Sequence, residues 1–268
     1  MNALERKMVE LLLRMKQEHG VVAVKAEFEA EGTRTEELMR LKEIALTADV
    51  ELVLKIGGCD ALRDMYDARS IGISHMVAPM VESPYALQRY LRAVARAFPE
   101  DERSGIGFFV NVETIDTLDQ LEAMLEVPEV GLLEGVVLGR GDLVESMGHP
   151  RTFVDDDQIL SLAAKVLTTC KARGFRTVMG GGINVNSLGF LQRLPEGCLD
   201  RFETRKVCFD YREAMASRTL EGIERALEFE FYWLQNKHEF YKAISEEDMK
   251  RVATLQKRFQ GATTSQEA

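Results

Sequence analysis

Seven short β-type runs alternate along this chain with longer stretches of helical spacing, and that alternation restricts the fold more than any other feature. The runs are VVAVKAEFE (21–29), ELVLKIGG (51–58), SHMVAPMVES (74–83), GFFVNVET (107–114), LEGVVLGRGDL (133–143), FRTVMGGGI (175–183) and DRFETRKVCF (200–209). Several are apolar on both faces, as strands of a parallel sheet covered by helices must be. The helical stretches carry their own start signals. Pro84 falls in the first turn of PYALQRYLRAVARAF, and Asp155, Asp156 and Asp157 open DDDQILSLAAKVLTTCKARG, where the helix end favours negative charge. No glycine-rich dinucleotide fingerprint follows the first run, which disfavours a doubly wound nucleotide-binding sheet. The pattern predicts an α/β fold, a TIM-type (β/α)8-like barrel with parallel strands. Seven runs are one short of the usual eight, so either one strand is hidden or closure is unusual.

The barrel with its N-terminal helix is expected over residues 1–210, with a C-terminal helical extension over 211–260 that packs on the barrel or on a partner subunit. The extension carries an aromatic band, Phe229, Phe231, Tyr232, Trp233, Phe240 and Tyr241. Residues 261–268, GATTSQEA, read as a disordered tail. A hydrophobic content of 46% supplies a core, whereas a net charge of -10 argues against nucleic acid as partner and leaves room only for a local basic pocket. The four cysteines form no CxxC pair and read as reduced structural thiols. The N-terminal stretch lacks the long apolar core of a signal peptide. No run reaches the roughly 18 apolar residues of a membrane span. A soluble cytoplasmic protein is expected, with no membrane partner.

In a parallel barrel, chemistry collects at the C-terminal ends of the strands. Those ends present Lys25, Glu27 and Glu29; Lys55; Glu82; Glu113; Arg140 and Asp142; Asn184; and Glu203, Arg205 and Lys206. Glu113 and Asp142 end consecutive runs, so they belong to neighbouring strands. Two carboxylates at one rim suit a hard divalent cation such as Mg²⁺ or Mn²⁺; alternatively each caps the helix that follows. Gly139 and Gly141 flank Arg140 and allow a ligand close to the backbone. GGGIN (180–184) offers bare amides to an anion or simply makes a tight turn. In ETRKV (203–207) the charges either pair inside the barrel or, through Arg205, meet a substrate anion.

FFVNVETIDTLDQLEAML followed by LEGVVLGRGDLVESMG resembles the metal-binding segment of the HpcH/HpaI aldolase and citrate lyase β-subunit family. MVAPMVESPYAL is similar to that family's PMVE/PKVES strand, and LVLKIGG falls where its VRV/VRIN strand belongs. The resemblance spans residues 21–190 and implies a pyruvate/phosphoenolpyruvate-type barrel with Mg²⁺ or Mn²⁺ on Glu113 and Asp142. It further implies a carbon–carbon lyase or aldolase working on a 2-oxo acid or related carboxylate through a metal-stabilised enolate. Homo-oligomers are expected, since related barrels exchange C-terminal helices.

Two departures stand out. The family's substrate-gripping arginine is Lys55 here, which offers a point charge or, if neutral, a Schiff-base nucleophile. The family's histidine base has no counterpart at the right barrel end. His75 precedes its strand, His19 and His238 lie in helices, and His149 reads as a solvated loop residue. Glu27, Glu29 and Glu82 remain as acid/base candidates, and the EFEAEG cluster is similar to the DLEDA strand of the citrate lyase branch. Lys55, Arg140, Gly141 and Arg205 are the expected substrate contacts. Two other readings stay open. One is a citrate-lyase-like acyl-CoA ester lyase or bond-forming synthase; the other is an idle ligand-binding barrel.

Overall fold

The first six apolar runs each form a strand, and each strand pairs in parallel with the next. A computed structural model describes residues 1–264. The order is α1 (Ala3–His19), β1 (Val21–Glu27), α2 (Thr35–Thr47), β2 (Glu51–Lys55), α3 (Leu62–Ile71), β3 (His75–Ala78), α4 (Pro84–Ala97) and a short α5 (Glu100–Arg103). Then come β4 (Gly107–Val112), α6 (Ile115–Met124), β5 (Gly135–Gly139), α7 (Arg140–Ser146), α8 (Asp157–Ala172), β6 (Arg176–Gly180) and α9 (Leu188–Gln192).

Closure departs from a strict (β/α)8 repeat. The seventh run is not one strand but two, β7 (Arg201–Glu203) and β8 (Val207–Asp210), joined through Thr204, Arg205 and Lys206. β7 is parallel to β6, whereas β8 runs antiparallel to both β7 and β1 and shuts the barrel. Thr204 makes the turn. Its amide donates to the Val207 carbonyl at 2.9 Å, and its hydroxyl accepts from the Val207 amide at 3.2 Å. A hairpin needs no crossover helix, unlike a parallel connection, so the eighth strand lay hidden inside a single β-type run. Phe202 and Phe209 stack across it with ring centroids 4.8 Å apart.

Strand alternation then decides what faces inward. Ala23, Val53, Val77, Phe109, Val137, Val178 and Cys208 fill the interior as an apolar plug. Two residues further along their strands, Lys25, Lys55, Asn111, Gly139 and Gly180 face the same axis one layer higher. The opposite strand faces pack under the helices in the main hydrophobic core.

After α10 (Tyr211–Met215) the chain forms one helix, α11 (Thr219–Thr264), of 46 residues. Its first half lies on the barrel body with Ile223, Ala226, Phe229 and Trp233 buried, and the Asn2 side-chain amide donates to Asn236 Oδ1 at 2.6 Å. The aromatic band therefore divides: Phe229 and Trp233 are buried, whereas Phe231 and Phe240 are exposed. Residues 261–264, expected in a tail, continue the helix, and 265–268 lie outside the described residues. Among the described residues no helix is long and apolar enough to cross a membrane.

At the N-terminal end of the barrel, Glu51 pairs with Arg201 at 2.8 Å and with His75 at 3.0 Å. Burial opposes its charge, but His75 and Arg201 outweigh burial and bring its carboxyl from 4.5 to about 2. A carboxyl depressed on folding stabilises the protein above its unfolded pKa and loses that contribution as pH falls toward the folded one. Urea unfolding from about pH 4.5 down to about 2 is expected to show stability falling more steeply in the wild type than in Glu51→Gln. Equal slopes would remove Glu51 from the acid limb.

Candidate active site

The C-terminal mouth of the barrel opens into a cavity of about 340 Å³. Glu113, the residue after β4, continues the inward alternation of Phe109 and Asn111 and is 1% exposed. Its Oε1 accepts from the Met80 amide at 2.9 Å, and its Oε2 from Asn111 Nδ2 at 2.6 Å and Lys55 Nζ at 3.4 Å. Gly139 leaves room for it, since a Cβ there would stand 2.9 Å from the Glu113 Cβ. Burial, and to a smaller degree the nearby Asp142 carboxylate, push the Glu113 carboxyl above the usual range despite Lys55 and the two hydrogen-bond donors.

Asp142 lies in the first turn of α7 rather than on the strand, with its side chain 38% exposed and lining the same cavity. Arg151 reaches it at 3.3 Å and Glu145 at 2.6 Å. Neither carboxylate caps a helix. Thr114 caps α6 through its hydroxyl, and α7 begins at Gly139 without a side-chain cap.

Lys55 ends β2 and stands 3.0 Å from Glu29 Oε2 as well as 3.4 Å from Glu113. Burial alone would lower its pKa, but Glu113, Glu29 and Glu27 outweigh burial and hold the ammonium above the ordinary lysine range. Lys55 answers to three carboxylates, while Glu113 has one cation and a second anion beside it, so both groups move upward. On the neighbouring strand Lys25 repeats the arrangement, 2.5 Å from Glu203 and 3.0 Å from Glu27. Lys25 keeps the Glu27 carboxyl below its usual range against the effect of burial.

Several expectations change. Arg140 follows the inward Gly139 and so points outward between β5 and β6, fully buried. Its guanidinium donates to Asp155 at 2.6 Å, Val154 O at 3.1 Å and Gly180 O at 3.3 Å, and lies 4.5 Å above the Phe190 ring. It braces the glycine loop instead of lining the cavity as a substrate contact. Glu82 is not among the lining residues either, because the chain has already turned toward α4 there. Gly141 and Arg205 do line the cavity. Arg205 is exposed in the hairpin turn 3.8 Å from Glu31, not inside a strand. Glu203 and Lys206 form internal ion pairs, with Lys25 and Glu31 respectively. His149 stacks on Phe153 and is not among the lining residues, and His75 sits at the opposite barrel end as its position before the strand implied.

Among the polar residues that line the cavity, Asn111, Arg151 and Glu230 were missed. Asn111 was legible, two positions before Glu113 on the same strand face. Arg151 comes from a loop, and Glu230 from α11, which arrives from far along the chain; neither carries a sequence signal.

Glu113 and Asp142 suit a hard cation in type, and the elevated carboxyl of Glu113 marks a charge that a cation would relieve. Among the described residues no group of three or more His, Cys, Asp or Glu converges. Two carboxylates with the remaining positions left to water and substrate oxygens fit Mg²⁺, which keeps several waters.

A profile of the HpcH/HpaI aldolase/citrate lyase family matches residues 13–189. No curated protein matches the chain by sequence. Among solved structures, the fold is similar to the HpcH/HpaI aldolase from Desulfitobacterium hafniense DCB-2, with TM-score 0.60 and 14% identity over 76% of this chain and 82% of that one. It is also similar to an HpcH/HpaI aldolase/citrate lyase family protein from Burkholderia cenocepacia J2315, with TM-score 0.59 and 15% identity over 84% of this chain and 89% of that one. The citrate synthase SbnG aligns with TM-score 0.58 and 16% identity over 85% of this chain and 98% of its own.

Arg140 distinguishes bracing from binding. Removing one partner of a buried pair costs about 3 kcal/mol, so Arg140→Met is expected to lose about that much stability, seen as a lower urea midpoint. A variant of unchanged stability that binds anions more weakly would return Arg140 to the substrate.

Proposed function

The chain belongs to the HpcH/HpaI aldolase/citrate lyase family, and on that premise we propose that it is a divalent-metal-dependent carbon–carbon lyase of the aldolase type acting on a 2-oxo acid or related carboxylate. The observation that carries this reading is Glu113, a carboxylate buried to 1% exposure and facing the same cavity as Asp142. Mg²⁺ or Mn²⁺ held by these two groups would supply Lewis acidity toward the substrate's keto and carboxylate oxygens.

The chain's own residues divide the remaining work. Lys55, kept charged by Glu113 and Glu29, grips the anionic end of the substrate through Nζ. An ammonium orients by charge rather than by a two-pronged hydrogen bond, so its grip is less directional than the family's arginine. The carboxylates around it favour the ammonium over the neutral amine that a Schiff base needs. Asn111 fixes Glu113 Oε2, and Arg151 tethers Asp142. Glu29, 29% exposed at the cavity and 3.0 Å from Lys55, is assigned to proton transfer. Glu82 drops out because it does not line the cavity. The apolar plug below, with Val137 at the cavity floor, closes the site to water from beneath. The same groups serve in the bond-forming direction.

The test is Mn²⁺ titration by calorimetry alongside pyruvate α-proton exchange followed by NMR. Glu113→Gln and Asp142→Asn are each expected to weaken metal binding by at least about tenfold, 1.4 kcal/mol, and chelation to stop exchange. Exchange that persists after chelation would contradict the metal-dependent reading. Unchanged affinity in both variants would contradict the ligand assignment.

A further inference from the structure

Six carboxylates line the cavity, and five of them are held by a cation of the cavity wall. Lys25 pairs with Glu27 and Glu203, Lys55 with Glu29 and Glu113, and Arg151 with Asp142. The sixth, Glu230, is half-buried on α11 and makes no hydrogen bond or ion pair among the described residues. The cations that act on it from a distance, Arg205 and Lys206, are both engaged by Glu31, Arg205 at 3.8 Å and Lys206 more closely. Burial lifts the Glu230 carboxyl above its usual range against those two cations, with smaller contributions from Glu31 and Glu27. A carboxylate partly withdrawn from water without a partner is unfavourable, and a cationic ligand would relieve it.

Its place in the barrel says which part of a ligand it meets. Arg205 and Lys206 belong to the β7–β8 turn, and in the closed order β1 to β8 that turn lies across the mouth from Glu113, which follows β4. A 2-oxo acid held through its keto and carboxylate oxygens at Glu113 and Asp142 therefore has the β7–β8 side of the mouth for its far end. Leu227, one helical turn before Glu230 and 45% exposed, lines the same cavity and offers apolar surface to a connecting hydrocarbon chain. Charge points the same way. Carboxylates outnumber cations along the cavity by two, so one divalent ion neutralises the wall. A plain 2-oxo acid then adds an uncompensated negative charge, whereas one with a cationic far end adds none.

Resting on the metal-dependent reading above, we propose that Glu230 is a specificity residue that receives a positively charged group at the far end of the substrate. The substrate class is then a zwitterionic 2-oxo acid, with the keto and carboxylate groups at one end and an ammonium at the other. Arg205, already turned toward Glu31, stands beside this contact rather than making it.

Calorimetric binding to the Mn²⁺-loaded full chain tests the proposal. The probes are 2-oxo acids ending in a trimethylammonium group on methylene chains of increasing length, each beside its uncharged tert-butyl isostere. A trimethylammonium cannot cyclise onto the keto carbon as a primary amine does. The wild type is expected to bind the best ammonium acid about fivefold more tightly than its isostere, the scale of one charge pair. Glu230→Gln is expected to abolish that preference and Glu230→Lys to reverse it. Absence of a preference across the whole series, or one that survives in Glu230→Gln, overturns the role of Glu230 whatever the chemistry does. Pyruvate proton exchange, followed alongside, tests the underlying reading separately. Exchange that ignores chelation, with the preference present and lost in Glu230→Gln, supports the Glu230 contact while sinking the metal-dependent lyase.

Discussion

Lys55 stands between Glu113 and Glu29 at the barrel mouth, and the surroundings of the cavity are arranged around keeping that charge buried. A buried ammonium is tolerated only when opposite charge and hydrogen bonds replace the water it has lost. Lys25, between Glu27 and Glu203, meets the same demand one strand away. Carboxylates nonetheless outnumber cations around the cavity, and the Glu113 carboxyl is elevated by burial first and by Asp142 to a smaller degree. A cavity charged in this way suits a divalent cation arriving with an anionic substrate better than an anion alone.

The way the barrel closes contributes to the site. Turning at Thr204 instead of crossing over through a helix puts Thr204 and Arg205 directly at the mouth and leaves Glu203 aimed at Lys25. Gly180 permits this, because a Cβ there would come within 3.0 Å of the Glu203 carboxylate. With β8 antiparallel, the chain leaves at the N-terminal end of the barrel, and α11 then runs back along α1 far enough for Leu227 and Glu230 to reach the cavity.

The first six strands were legible because each is an apolar run bounded by polar turns, and the positions of Glu113, Lys55 and Glu29 followed from those strand ends. The seventh run was read as one strand, where the chain makes two. A three-residue turn with neither glycine nor proline, set between Phe202-Glu203 and Val207-Cys208-Phe209, reads as one continuous strand. Arg140 was misassigned for a different reason: being near a strand end says nothing about which face a side chain takes, and alternation from Gly139 sends it outward. Glu82 failed because its apolar run outlasts the strand, which stops at Ala78. Asp142 was assigned to a strand end but lies one helical turn beyond it, still at the cavity.

Lys55 is proposed to grip the substrate as a cation and not to act as a Schiff-base nucleophile. Sodium borohydride added while the enzyme is exchanging pyruvate protons tests it directly, with intact-mass and peptide mass spectrometry as the readout. An unmodified Lys55 and undiminished activity after removal of the reductant are expected. A reduced pyruvate adduct on Lys55 would contradict it, since that lysine must then lose its proton and act as a nucleophile.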